Sequence, residues 1–250
     1  MIANYHTHTW RCMHAEGTER EYVEAAIRGG LQILGFSDHA PMPFPDGYEG
    51  KIRMRMNQLE DYVDTVLRLK EEYKADIEIH IGLEAEYFPA LFERFLALIR
   101  PYPIEYLLLG QHYLDPALED CYTGRPTEDE QVLARYCRRC MEALDTDRFA
   151  YVAHPDLIHY VGEKKIYRKW MRELCVKALE KEVPLEINLL GQAIRRHYPR
   201  REFWEIAGEV GNKVILGSDA HRADMVCNPG AEREAKELAR ACGLQLIDMI

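Results

Sequence analysis

A parallel α/β barrel of seven strand–helix units is the fold this chain predicts, on three observations. Short apolar runs alternate with longer stretches whose apolar residues recur at helical spacing. No linker, repeat or low-complexity segment interrupts the alternation, so one domain over residues 1–250 is the economical reading. Histidine or a carboxylate stands at the end of nearly every apolar run, where parallel barrels carry their chemistry.

The first run, Ile2 to Tyr5, leads into His6 and His8. Residues two apart point the same way in an extended segment, so these imidazoles can converge on one ion. His14 follows six positions after His8. Glu19 to Gly30 reads as a helix stopped by Gly29 and Gly30, and Leu31 to Ser37 as a buried strand delivering Asp38 and His39. Asn57 to Lys74 carries Leu59, Tyr62, Val63, Val66 and Leu69 at helical spacing, and Ile77 to Leu83 delivers Glu84. Ala90 to Arg100 is a helix closed by Pro101, after which Ile104 to Leu109 leads to His112. Thr127 to Leu144, opened by a capping box of Thr127 and Glu130, precedes the strand Phe149 to Ala153 and His154. Lys165 to Lys181 leads to Pro184 to Asn188, and Arg200 to Val210 leads to Val214 to Gly217, with Asp219 and His221 beyond. A helix from Gly230 to Cys242 and an apolar tail, Leu244 to Ile250, finish the chain. Pro41 to Met56, rich in Pro, Gly and aromatic residues, fits no element and is expected as a loop over the barrel mouth.

Six of the seven strand ends therefore carry His6 and His8, His39, Glu84, His112, His154, or Asp219 and His221. Any one of these alone is more readily an ordinary polar side chain. Crowded at one mouth, however, bare imidazoles would repel on protonation and each would need its own hydrogen-bond partner; metal coordination resolves the crowding. Imidazole plus carboxylate without thiolate suits Zn, Mn or Fe(II). Asp38, next to a ligand, is expected to orient an imidazole. His80 lies within a strand whose Ile77, Ile79 and Ile81 take the other face, and His159 and His197 fall in polar loops, so none of the three shares this context.

A net charge of −10 argues against wholesale nucleic-acid binding. No run approaches the ~18 apolar residues of a membrane span, and the N-terminus lacks a secretory signal pattern. The seven cysteines have no framework spacing, and Cys137-x-x-Cys140 lacks the second pair of a zinc knuckle. Reduced thiols in a cytoplasmic protein are expected.

Taken in order, His6-Thr-His8 with His14, Ser37-Asp38-His39, Gly82-Leu-Glu84-Ala-Glu86, Gly110-Gln-His112-Tyr, His154-Pro-Asp156 and Gly217-Ser-Asp219-Ala-His221 resemble the polymerase-and-histidinol-phosphatase (PHP) superfamily. Within it they look most like the histidinol-phosphate phosphatases. The resemblance implies a distorted (β/α)7 barrel holding three divalent transition-metal ions. His6, His8, Glu84 and Asp219 would hold one, with Glu84 bridging to a second held by His112 and His154; His14, His39 and His221 would hold the third. It implies hydrolysis of a small phosphate monoester, L-histidinol phosphate to L-histidinol and phosphate, with Glu84 and Asp219 at the reaction centre. A nuclease or phosphotyrosine phosphatase of the same superfamily is the alternative, and a non-catalytic metal-binding protein a further one.

In the resembled phosphatases an arginine of the loop after the sixth strand meets the substrate phosphate, which implies Arg195 or Arg196 here. Where the family tends to carry a basic residue after His154-Pro-Asp156, this chain has Ile158-His159-Tyr160, with Lys164, Lys165 or Arg53 as substitutes. Glu86 and Asp156 are expected to favour a cationic amine on the substrate.

Overall fold

The computed structural model describes residues 1–45, 48–115 and 122–250. Eight strands lie in chain order and pair in parallel: β1 (Ala3–Asn4), β2 (Ile33–Phe36), β3 (Glu78–Ala85), β4 (Tyr106–Leu109), β5 (Tyr151–Val152), β6 (Leu185–Asn188), β7 (Lys213–Gly217) and β8 (Gln245–Leu246). Between them run α1 (Glu19–Arg28), α2 (Leu59–Glu72), α3 (Pro89–Ile99), α4 (Glu130–Leu144), α5 (Lys164–Glu180), the short α6 (Leu189–Ala193), α7 (Arg201–Val210) and α8 (Pro229–Ala241). Among the described residues, no helix is long and apolar enough to cross a membrane.

The strands are short and nearly all buried, as parallel strands covered by helices must be. The larger core lies between sheet and helices, where α2 buries the predicted face of Leu59, Tyr62, Val63, Val66 and Leu69. A smaller core fills the space inside the curl, from Ala3, Tyr5, Ile33, Tyr106, Leu108, Tyr151 and Ile215. Tyr106 crosses this space and donates from its hydroxyl to the carbonyls of Tyr5 (2.8 Å) and Phe36 (3.0 Å). Its ring fits because Gly82 has no side chain: a Cβ there would lie 2.3 Å from Tyr106 Cζ. Packed by this inner core, the barrel presents its main cavity at the end where the strands deliver their polar residues.

The apolar tail is more than a terminus, since Gln245 and Leu246 pair with Lys213 and Val214 to make β8. Ile247 follows and packs against the inner core, which is why the tail is held there. At the opposite end the seven-unit count persists, because Thr7 and Ala220 form a parallel bridge between the extensions of β1 and β7. That bridge sets His6 and His8 beside Asp219 and His221.

The start of α4 differs from expectation. Asp129, not Thr127, caps it, accepting from Gln131 N at 2.8 Å. The Thr127 hydroxyl instead accepts from Asp129 N at 3.1 Å while its backbone bridges to Tyr160, and Glu130 accepts from Trp170 Nε1 at 3.1 Å. Ahead of α2, Met56–Gln58 forms a 3-10 turn rather than α-helix. Of the Pro41–Met56 loop, Asp46 and Gly47 lie outside the described residues; Met42 and Met54 join the core.

Candidate metal centre

The strand ends bring nine side chains to one place. Glu84, at the end of β3, stands at the middle and is almost fully buried. His154 Nε2 lies 2.8 Å from Glu84 Oε1 and His39 Nδ1 2.9 Å from Oε2, with His6, His8 and His112 Nε2 each at 3.6 Å. Asp219 Oδ1 faces His8 Nε2 at 3.1 Å and His6 Nε2 at 3.5 Å. Donor atoms of His6, His8 and Asp219 lie within 4.8 Å of one another, as do those of His6, Glu84 and His154, of His8, His39 and Glu84, and of His14, His39 and His221. Cys12 also comes near His8 and His221, but burial, aided by Asp38, pushes its thiol pKa up and keeps it protonated.

These residues fit metal ions. His6 Nε2, both ring nitrogens of His8, Glu84 Oε2 and His154 Nδ1 are buried without a hydrogen-bond partner. His14 Nδ1 and His221 Nδ1 lie on the carbonyls of Cys12 (2.8 Å) and Asp219 (3.0 Å), so each donates there. Their Nε2 lone pairs then confront each other at 2.9 Å, a repulsive contact that a shared cation turns into ligation. The ionisation pattern agrees. Burial opposes the charge on Glu84 and Asp219, yet the surrounding histidines outweigh it and hold both carboxyls well below the usual range. Burial likewise opposes a charge on His6 and His8, but the carboxylates overcome it and raise both, His8 to about 9. Burial keeps His39, His112, His14 and His221 neutral, with His112 and His221 lowered to about 3, which leaves lone pairs ready to bind.

Backbone geometry is forced where ligands are aimed. His154 (φ 30°) and Asp219 (φ 49°) both adopt the left-handed region, at roughly 1–3 kcal/mol each. His154 is held by its N–H, which donates to Glu186 Oε2 at 2.9 Å.

Above the ligands opens a cavity of about 410 Å³. Arg196 lines it, with Tyr122 and Tyr198, and its Nη1 lies 3.3 Å from the Tyr198 hydroxyl. Arg195 does not reach it: its guanidinium is exposed and forks onto Glu234 at 2.6 and 3.0 Å. Nor do the carboxylates expected to meet an amine. Glu86 is buried against Arg53 and accepts from Tyr113 N at 2.8 Å, which also removes Arg53 as a phosphate contact. Asp156 accepts from Arg200 N (2.5 Å) and Trp204 Nε1 (3.1 Å) behind the His154 loop. Lys164 and Lys165 open α5 away from the cavity lining. Among the described residues, Glu16 is the carboxylate at the cavity wall besides Asp219, and Ile52 is the cavity-lining residue from the Pro41–Met56 loop.

Residues 4–189, most of the chain, match the family model described as the PHP domain. The chain belongs to the PHP domain family. It is 28% identical over 236 residues to a probable histidinol-phosphatase of Deinococcus radiodurans, covering 88% of this chain and 86% of that one. With the histidinol-phosphatase of Bacillus subtilis it shares 26% over 252 residues, 87% and 92% of the two chains. The fold is similar to that of the Lactococcus lactis histidinol phosphate phosphatase solved with zinc, L-histidinol and phosphate. There the TM-score is 0.76 and the identity 21%, over 98% of this chain and 95% of the other.

Sequence reasoning missed several residues of this PHP site. Glu186 and Asn188 on β6 are fully buried beneath it, and Tyr122, Tyr198 and Glu16 line its cavity. For β6 a signal existed: Glu186 and Asn188 alternate with Leu185 and Ile187, so two polar side chains share the inward face. Tyr122, Tyr198 and Glu16 sit in loops, where no periodicity marks direction. His80 pairs with Glu78 (2.9 Å) and with Glu105, and His159 stacks on His197 at 4.0 Å.

Proposed function

We propose that this protein is a metal-dependent phosphomonoesterase that converts L-histidinol phosphate to L-histidinol and phosphate, residues 1–250 acting as one cytoplasmic catalytic unit. The observation that carries the chemistry is the convergence of nine imidazole and carboxylate side chains, with buried atoms of His6, His8, Glu84 and His154 lacking hydrogen-bond partners, beneath a cavity lined by Arg196 and Arg222. The relatives named as histidinol-phosphatases support the choice of ester.

In this reading His6, His8, Glu84 and Asp219 hold one ion, Glu84, His112 and His154 a second, and His14, His39 and His221 a third, with zinc, manganese or iron suited to the donors. Bound there, such ions would supply the concentrated positive charge that acidifies water and attracts phosphoryl oxygens. Arg196 binds the phosphate through its guanidinium fork, and the Tyr198 phenol, its pKa pushed up by burial, remains a hydrogen-bond donor beside it. Asp219, at the cavity wall beside the ion it would hold, would take the proton of the attacking water and return it to the departing alkoxide, so proton and charge balance over the cycle. Glu16 faces the substrate's cationic amine. No side chain is needed as a nucleophile.

The test is phosphate release from histidinol phosphate, p-nitrophenyl phosphate, phosphotyrosine and a dinucleotide, with metal content measured on the same sample. Histidinol phosphate is expected to lead in kcat/KM by at least roughly tenfold, about 1.4 kcal/mol. A smaller lead removes the substrate assignment; no release from any ester removes the phosphatase.

A further inference from the structure

Under the ligands lies a carboxylate that the proposed chemistry does not use. Glu186 is fully buried on β6, yet each of its oxygens meets donors. Oε1 lies 2.7 Å from His6 Nδ1 and 3.4 Å from the Tyr151 hydroxyl; Oε2 accepts from His154 N at 2.9 Å and from Asn188 Nδ2 at 3.0 Å. The same Asn188 amide reaches Asp219 Oδ2 at 3.1 Å, and Asn188 Oδ1 accepts from Gly191 N at 2.9 Å, which fixes which way the amide faces. The chain makes room for this carboxylate: a Cβ on Gly217 would stand 1.7 Å from Glu186 Oε1.

We infer that Glu186 is the positioning residue of the centre: it fixes the tautomer of His6 and, through His154 N and the Asn188 amide, the aim of His154 and Asp219. The inference rests on the metal-centre reading above. With the Tyr151 hydroxyl donating to Oε1 and His154 N and Asn188 Nδ2 donating to Oε2, Glu186 acts as the acceptor, so Nδ1 of His6 carries the proton and Nε2 offers its lone pair. That Nε2 is buried without a partner and points between Glu84 Oε1 and Asp219 Oδ1, at 3.6 and 3.5 Å. Three anionic or lone-pair donors aimed at one point are what a cation holds together. A carboxylate behind a metal-ligating imidazole typically changes metal affinity by 10–100-fold when removed. Glutamine cannot replace it, because either orientation of its amide sets an N–H against a donor: His6 Nδ1 on one side, His154 N and Asn188 Nδ2 on the other.

Zinc affinity of the full chain, stripped and then reloaded in competition with a chromophoric chelator, tests this for wild type, Glu186→Gln and Tyr151→Phe. Glu186→Gln is expected to weaken zinc binding at least roughly tenfold with an unchanged circular dichroism spectrum, while Tyr151→Phe binds as wild type. Nitrogen-15 spectra of the zinc-loaded wild type, with His6 assigned from a His6→Gln sample, read the tautomer directly and are expected to show the proton on Nδ1. Should Glu186→Gln fail to fold, that spectrum decides. Undiminished zinc affinity in Glu186→Gln, or a His6 proton on Nε2, overturns the assignment alone. A wild-type chain that takes up no zinc, manganese or iron overturns the metal reading and this assignment with it.

Discussion

Glu84 Oε1 occupies the space that a side chain on Gly110 would fill: a Cβ there would lie 1.9 Å from it. Gly110 directly follows β4, so the absence of a side chain on one strand end is what lets the carboxylate of β3 stand among the ligands of several others. Gly110→Ala is therefore expected to displace Glu84, lowering phosphate release more than tenfold and stability by about 1–3 kcal/mol. Chemical denaturation and a phosphate assay on one preparation check both; a wild-type rate would show that Glu84 can move without consequence.

Glu84→Gln keeps the shape and removes the charge that His154, His39, His112, His6 and His8 surround. Elemental analysis should find fewer ions, with turnover reduced at least 100-fold and a circular dichroism spectrum close to wild type. Full activity in this variant would take Glu84 out of the centre.

The two adjacent arginines separate cleanly. Arg196→Ala should raise KM for the monoester roughly tenfold or more, with a smaller change in kcat if the phosphate contact is equal in ground and transition states. Arg195→Ala, which loses an exposed pair with Glu234, should change neither constant beyond about twofold. The reverse ranking in steady-state kinetics would return the phosphate contact to Arg195.

Metal removal should be visible in stability, because the Nε2 lone pairs of His14 and His221, 2.9 Å apart, would lose the cation that reconciles them. Purified without chelator, the chain should carry about three ions, the number that nine ligands fill once Glu84 bridges. An ion present at about 1,000 times its dissociation constant adds about 4 kcal/mol, so chelation should lower the melting temperature and zinc should restore it. A melting temperature indifferent to chelator would contradict the arrangement.

The thiols of Cys137, Cys140 and Cys175 are buried between α4 and α5, and burial pushes all three up, Cys140 to about 12. At pH 8 in native buffer, mass spectrometry after iodoacetamide should find them unlabelled, becoming reactive only in denaturant. Labelling of Cys140 in the native state would show that this helix interface opens. Cys121 lies outside the described residues.

What the amino-acid order determined by itself was everything carried by local pattern. Period and length mark β2, β3 and β4 as buried strands, and the polar residue at each strand end marks a side chain that joins the cluster, because a parallel barrel sends all those ends the same way. His6, His8, His39, Glu84, His112, His154, Asp219 and His221 were legible on that ground, with His14 added by its spacing in the resembled family. Tertiary structure alone decided matters that depend on a side chain's direction or on a distant competitor. Arg195 and Arg196 are neighbours, and only the turn after α6 sends one into the cavity and the other to Glu234, 39 residues on. Glu86 and Asp156 look available for a substrate until Arg53, Arg200 and Trp204 are seen to claim them. Thr127 turns its hydroxyl onto Asp129 N, and Asp129 caps α4 in its place. Glu186 acquires meaning only when β6 is laid beside β5 and β7, 180 residues from the imidazole it orients. Propensity acts within a few residues of sequence, whereas the partner that satisfies a buried charge is chosen by packing, and no local pattern encodes it.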